Sequence, residues 1–188
     1  MIAMNNRIDR TPPSRGVRSF FKNRLKLLFL LLFLLLAGSY GYASQLVLAI
    51  LPETGQALAV PVRPGDVWRY HYKHSVQQTP CDEYFRVEGP HAMTMTHTIY
   101  ESFGVGLPYD ASEGQFLPLK EKGKFEMILD RPYPSVTFRT AIQAMPVLYC
   151  KGRTYDLCTL YGQGTKVSVT AMKRYEFWLS QISTHGRM

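Results

Sequence analysis

At 188 residues, 46% hydrophobic and with a formal net charge of +8, the chain is long enough for one domain with a real core and too short for two comfortable ones. The excess charge is local: Arg7, Arg10, Arg15, Arg18, Lys22, Arg24 and Lys26 face Asp9 alone in the first 26 residues, a net of +6, which leaves +2 for the rest. A body so near neutrality, with no basic stripe interleaved with aromatics, excludes nucleic acid as the partner.

In chain order, residues 1–24 are polar and basic around Thr11-Pro12-Pro13-Ser14 and are predicted to be disordered on the cytoplasmic side. Residues 25–43 follow as a signal peptide or a transmembrane anchor. Leu27 to Ala37 is an unbroken apolar run, and Gly41-Tyr42-Ala43 before Ser44 makes a small-x-small cleavage site. No cysteine closes the run, so it is not a lipoprotein signal. Left uncleaved, the segment nearly reaches the ~20 residues needed to cross a bilayer. Either way the basic end stays in the cytoplasm and the remainder is exported, tethered to the inner membrane or released into the periplasm.

Residues 44–171 have the texture of strands and predict an all-β, single antiparallel sandwich or barrel-like domain. Leu46 to Leu51 and Ala57 to Val60 flank a turn at Glu53-Thr54-Gly55-Gln56. Val67 to Val76 alternates, with Trp68, Tyr70, Tyr72, His74 and Val76 on one face and Arg69, His71, Lys73 and Ser75 on the other. Asp82 to Glu88 alternates again, Met93 to Phe103 is β-rich, and short strands recur at Phe125 to Leu129, Val136 to Arg139, Val147 to Cys150, Thr154 to Leu157 and Lys166 to Ala171. The tail 172–188 holds the one helical pattern of the exported part. In it Tyr175, Trp178, Leu179 and Ile182 recur at helical spacing, to pack on the sheet or to lie on a membrane surface.

The chemistry-bearing residues gather at two places. In His74-Ser75-Val76-Gln77-Gln78-Thr79-Pro80 with Glu83, a histidine, a serine and a carboxylate lie within ten residues. A hydrolase triad is a poor fit, because neighbours on a strand point to opposite faces and no G-x-S-x-G elbow is present. A hairpin whose partners sum to 157 suits the aromatic face better. It sets Tyr70 against Val87, Tyr72 against Phe85 and His74 against Glu83, so that His74 donates to Glu83 while the Thr79 hydroxyl closes the turn. Ser102-Phe103-Gly104-Val105-Gly106-Leu107-Pro108 is the second place. No helix or third glycine follows, so it is a glycine-opened loop that cradles an anion or packs against the histidine turn. Of Cys81, Cys150 and Cys158, the last two are the nearer candidates for a disulfide, although a turn at Gly152-Arg153 would pair Cys150 with Tyr155 and put Cys158 out of register. No C-x-x-C spacing calls for a metal, and nothing calls for a cofactor.

Tyr72-Lys73-His74-Ser75-Val76 with Thr79-Pro80 and Glu83, then Ser102 to Pro108, resemble an uncharacterised family of small exported bacterial proteins, number 1850 among the domains of unknown function. The family pattern has HSV, TP, a glutamate and SFGAGLP. The resemblance covers residues 45 to 171, with Cys81 where an aliphatic residue is usual and Val105 where alanine is usual. It implies an extracytoplasmic accessory role beside TRAP transporter permeases of the TAXI type, with the permease or its solute-binding protein as partner, and it carries no catalytic residues.

The leading expectation is a non-enzymatic periplasmic binding or accessory protein. Its site is the rim of His74, Ser75, Thr79, Glu83, Ser102, Gly104, Gly106 and Pro108, for a partner or a small organic anion. A bound anion wants His74 protonated, so its affinity should fall as pH rises. The alternatives are an enzyme using His74 and Glu83 as acid and base, and motifs that are purely structural, with a partner surface such as the Trp178 helix.

Overall fold

The structure, a computed structural model, describes residues 15–101, 114–119 and 123–185, with side chains described from Asn23 to Ile182. The chain divides between Tyr42 and Ala43 into two units. The first contains helix α1 (Arg15–Ala43). Its 21 residues from Asn23 to Ala43 are long and apolar enough to cross a membrane. At ~1.5 Å per residue they span about 31 Å, the thickness of a hydrocarbon core. Leu25 and Leu27 to Leu36 are exposed throughout, and Tyr40 and Tyr42 lie at the far end from the basic residues, as interfacial aromatics do. This is an N-terminal apolar helix consistent with a signal sequence or a membrane anchor. Helix already runs through residues 15–24, where disorder was expected, because the prolines stop at Pro13 and nothing after them breaks it.

The second unit is mostly antiparallel β, in two sheets. Strands β1 (Leu46–Pro52), β2 (Leu58–Pro61), β3 (Val67–Lys73), β4 (Pro80–Gly89), β5 (Ala92–Tyr100), β6 (Gln115–Pro118), β7 (Phe125–Tyr133), β8 (Val136–Arg139), β9 (Val147–Cys150), β10 (Arg153–Asp156) and β11 (Lys166–Lys173) form it, with short helix α2 (Leu157–Tyr161) and helix α3 (Arg174–His185). The smaller sheet has order β2-β1-β11-β8 and the larger β10-β9-β3-β4-β5-β7-β6. Their inner faces meet in one core, where Leu48, Ile50, Val167 and Val169 of the small sheet pack with Trp68, Phe85, Met93 and Leu148 of the large one. Trp68 stacks on Phe85 at 4.4 Å within the large sheet, and Tyr70 stacks on Phe138 of the small sheet at 4.4 Å. Aromatic burial of this kind adds large apolar area to a core otherwise built of aliphatic side chains.

The alternation read from the sequence places the faces correctly, but the register differs. Strands β3 and β4 pair with partners summing to 153: Trp68 faces Phe85, Tyr70 faces Glu83 and Tyr72 faces Cys81. A shift of four is even, so every side chain keeps its face while changing its neighbour. The last pair is Lys73 with Pro80, so His74 lies beyond the ladder and does not oppose Glu83. Pro80 is tolerated there as the first residue of a strand.

The disulfide expected between Cys150 and Cys158 is absent, since all three cysteines are unbridged thiols. Lys151 and Gly152 both take positive φ, 52° and 71°, as a two-residue hairpin turn requires, and the turn therefore pairs Cys150 with Arg153 rather than Tyr155. Cys150 sits at the turn, whereas Cys158 lies past the other end of the hairpin, roughly 10 Å away along the strands and beyond bridging distance. Leu157, expected to end a strand, instead opens α2, whose first turn is capped by Asp156 accepting from the Cys158 and Thr159 N–H groups.

Strand β11 runs two residues past Ala171, and α3 folds back over the outer face of the small sheet. Phe177 packs there on Val47, Ala49 and Met172. The Arg174 N–H and guanidinium both donate to Gln45, and Glu176 accepts from the Lys173 N–H and meets His91 at 3.3 Å.

Candidate functional site

The turn between β3 and β4 is built around His74. Its N–H donates to the Thr79 carbonyl, its carbonyl accepts from the Gln78 N–H, and Gln78 holds φ at 56°. The imidazole Nδ1 accepts from the Val76 and Gln77 N–H groups at 3.3 Å each, so the ring caps the turn from inside as an Asx side chain would. At 8% exposure His74 is buried, while Ser75 is exposed. The Thr79 main-chain carbonyl thus closes the turn on the His74 N–H. Ser102, Gly104, Gly106 and Pro108 lie outside the described residues.

Beneath the turn, on the inner face, Glu83 is half-buried and accepts a 3.0 Å hydrogen bond from the Tyr72 hydroxyl. Burial raises its carboxyl above the ordinary range, and the tyrosine bond offsets only part of that. Burial and the nearby carboxylate in turn raise the Tyr72 hydroxyl. Cys81, next to Tyr72, lies 3.7 Å from the Thr98 hydroxyl, and burial pushes its thiol up to about 11. These four side chains form a polar cluster beside the apolar core, poorly suited to holding charge.

The outer face of the same strands carries what the sequence reading missed. The 153 register sets His71 opposite Asp82, and the imidazole Nδ1 lies 2.9 Å from Asp82 Oδ1. Arg69 approaches the same oxygen at 3.4 Å and lies 4.0 Å over the Tyr149 ring on β9. On the next strand His97 stacks on Tyr84 at 4.1 Å; burial lowers its pKa, which favours the neutral ring. Beside the dyad is a cleft of ≈ 270 Å³ lined by His71, Asp82, Ile99, Tyr100, Glu101 and Lys124. It sits at the end of the sheet where β5 leads into the Ser102 to Pro108 segment. In the register expected from the sequence His71 would have faced Arg86, which hid the dyad.

The arrangement combines an imidazole held by a carboxylate, a lysine and a second carboxylate around a small concavity with an apolar wall, the composition of a site for a small polar ligand. Among the described residues no group of three His, Cys, Asp or Glu side chains is placed to hold a metal ion.

A two-sheet antiparallel domain, preceded by an apolar helix and bearing a paired histidine in a rim cleft, is the class of protein that fold and site define. Within it, residues 69–157 match the model of a family described as a domain of unknown function (DUF1850). The match begins inside β3, takes in the rest of the large sheet together with β8, and stops short of β1, β2 and β11, a narrower span than the resemblance over 45–171. No curated protein matches the chain, and no solved structure does.

Proposed function

We propose that this is an exported, non-enzymatic binding domain whose ligand is a small polar solute bearing a carboxylate beside an amino or hydroxyl group, taken in the cleft at His71 and Asp82. The observation that carries the reading is the Arg69–Asp82–His71 arrangement at the cleft mouth. Asp82 orients the imidazole, so that its other nitrogen is left to meet a ligand, with Lys124 for an anionic group and Glu101 for a donor. The site thus moves from His74, whose ring is committed to the turn, to His71 three residues earlier. The apolar helix supports placing the domain outside the cytoplasm, held at the membrane or released from it. The family resemblance supports an accessory role in uptake, beside a TRAP transporter permease of the TAXI type or its solute-binding protein.

Thermal-shift screening of the full chain in detergent against small carboxylates, hydroxy acids and amino acids tests this directly. A stabilising compound whose effect disappears in His71→Ala is the expected result. No shift from any of them, together with capture of a permease by the same protein, would instead put the function in a protein contact.

A second reading has one observation behind it: a histidine hydrogen-bonded to a carboxylate is also a general base. It requires turnover of the bound compound that Asp82→Asn slows without weakening binding.

A further inference from the structure

Helix α3 does not bury the stripe that its sequence displays. Tyr175, Trp178, Leu179 and Ile182 are 44%, 42%, 62% and 70% exposed, and Phe177, nearly opposite them at ~100° per residue, is the side chain that packs on the small sheet. The apolar face therefore points away from the domain's own core. The helix is pinned at its first residue to Gln45 by both bonds of Arg174, and Gln45 follows the end of α1 by two residues, at most about 7 Å of chain. The same end of the domain holds a cavity of ≈ 520 Å³, lined by Gln45, Val62, Arg63, Pro90, Lys151 and Lys173 among others. Among the described residues its lining carries these three cations and no acidic side chain, although Asp66 outside the lining meets Lys151 at 2.6 Å and accepts from the Arg63 N–H.

From these observations we infer that the α3 face docks on the bilayer that holds α1, with Trp178, Leu179 and Ile182 in the headgroup–acyl boundary and an anionic phospholipid headgroup in the cavity of Arg63, Lys151 and Lys173. The three facts agree on one occupant. The apolar stripe is short, aromatic at its start and flanked by Lys173 and Arg174, the pattern of an interfacial helix. The cavity supplies positive charge for the phosphate and prolines and valine for the glycerol and upper chain. A membrane segment two residues away brings a lipid surface within reach, whereas nothing comparable brings a protein. The inference rests on α1 remaining in the membrane.

The chain has two tryptophans, Trp178 and the core residue Trp68, which is 1% exposed, so emission reports the contact. The full chain is placed in nanodiscs of phosphatidylcholine, with or without phosphatidylglycerol, using lipids brominated near the headgroup; Trp178→Phe supplies the Trp68 background. The expected result is a blue-shifted Trp178 quenched by the brominated lipids, more strongly with phosphatidylglycerol. Leu179→Asp with Ile182→Asp should abolish the quenching with Trp68 emission unchanged, and Arg63→Gln with Lys173→Gln should remove the dependence on phosphatidylglycerol. A Trp178 that is open to aqueous acrylamide and indifferent to bromine in a chain that has entered the discs would overturn docking while leaving the anchor in place. Quenching equal in both lipids would overturn the headgroup site, and a chain that stays out of the discs would overturn the anchor and the docking together.

Discussion

His74 and His71 show how three positions along the chain separate structure from chemistry. The His74 ring replaces a capping side chain, so its removal should cost stability and its replacement by another acceptor should not. His74→Ala is expected to lose about 1–2 kcal/mol in urea unfolding, the order of a lost cap with its buried bonds, and His74→Asn to recover much of it. An alanine variant as stable as the wild type would mean that the turn does not depend on the ring. Glu83 contributes with a sign fixed by its environment. Its carboxyl is raised above the ordinary 4.5, so just above that value the folded protein keeps a proton that the unfolded chain has released. Stability from this group is complete below 4.5 and is lost as pH rises through the higher folded value. Glu83→Gln should therefore match the wild type near pH 4 and exceed it at pH 8, by on the order of 1 kcal/mol for each unit of the shift. Melting temperatures across that range check this, and a gap that narrows with pH would refute it.

At the scale of elements, period-two alternation made the faces of β3, β4 and the later strands legible, and with them the aromatic core. It could not distinguish registers that differ by an even number. What selects 153 over 157 is the six-residue turn clamped by the His74 ring, a local use of a side chain that no pattern of apolar residues displays. The outer-face dyad was unreadable for the same reason, because His71 and Asp82 become neighbours only once that turn is known. Strand β6 escaped the reading as well. It is four residues long, and Gly114 enters it so close to β7 that a Cβ would run into the Ile128 carbonyl oxygen. Gly114→Ala should accordingly destabilise the β6 edge, by about 1–3 kcal/mol as for overpacked sites, seen as faster hydrogen exchange across β6 and β7. The Cys150–Cys158 bridge failed on geometry, since the Lys151-Gly152 turn sets their spacing. The full chain unfolded without reductant should titrate as three thiols, and fewer would restore a disulfide.

Across the whole molecule, the two ends of the β domain differ in character. One carries the β3–β4 turn, the dyad and the mixed-charge cleft. The opposite end, where the chain arrives from α1, carries the basic cavity and the pinned start of α3. The family match covers the large sheet from within β3 onward, which bears the cleft, together with β8, and leaves out β1, β2 and β11. The cleft residues His71, Asp82, Ile99, Tyr100, Glu101 and Lys124 all lie within the matched span, whereas the basic cavity takes Arg63 and Lys173 from outside it and Lys151 from within. The most direct measurement is calorimetric titration of the full chain with the best stabilising carboxylate, comparing wild type, His71→Ala, Asp82→Asn and the exposed turn control Ser75→Ala. Loss of a charge-assisted hydrogen bond should weaken the first two variants by roughly 10-fold or more and leave the control unchanged. Equal affinity in all four proteins would contradict a site at His71 and Asp82.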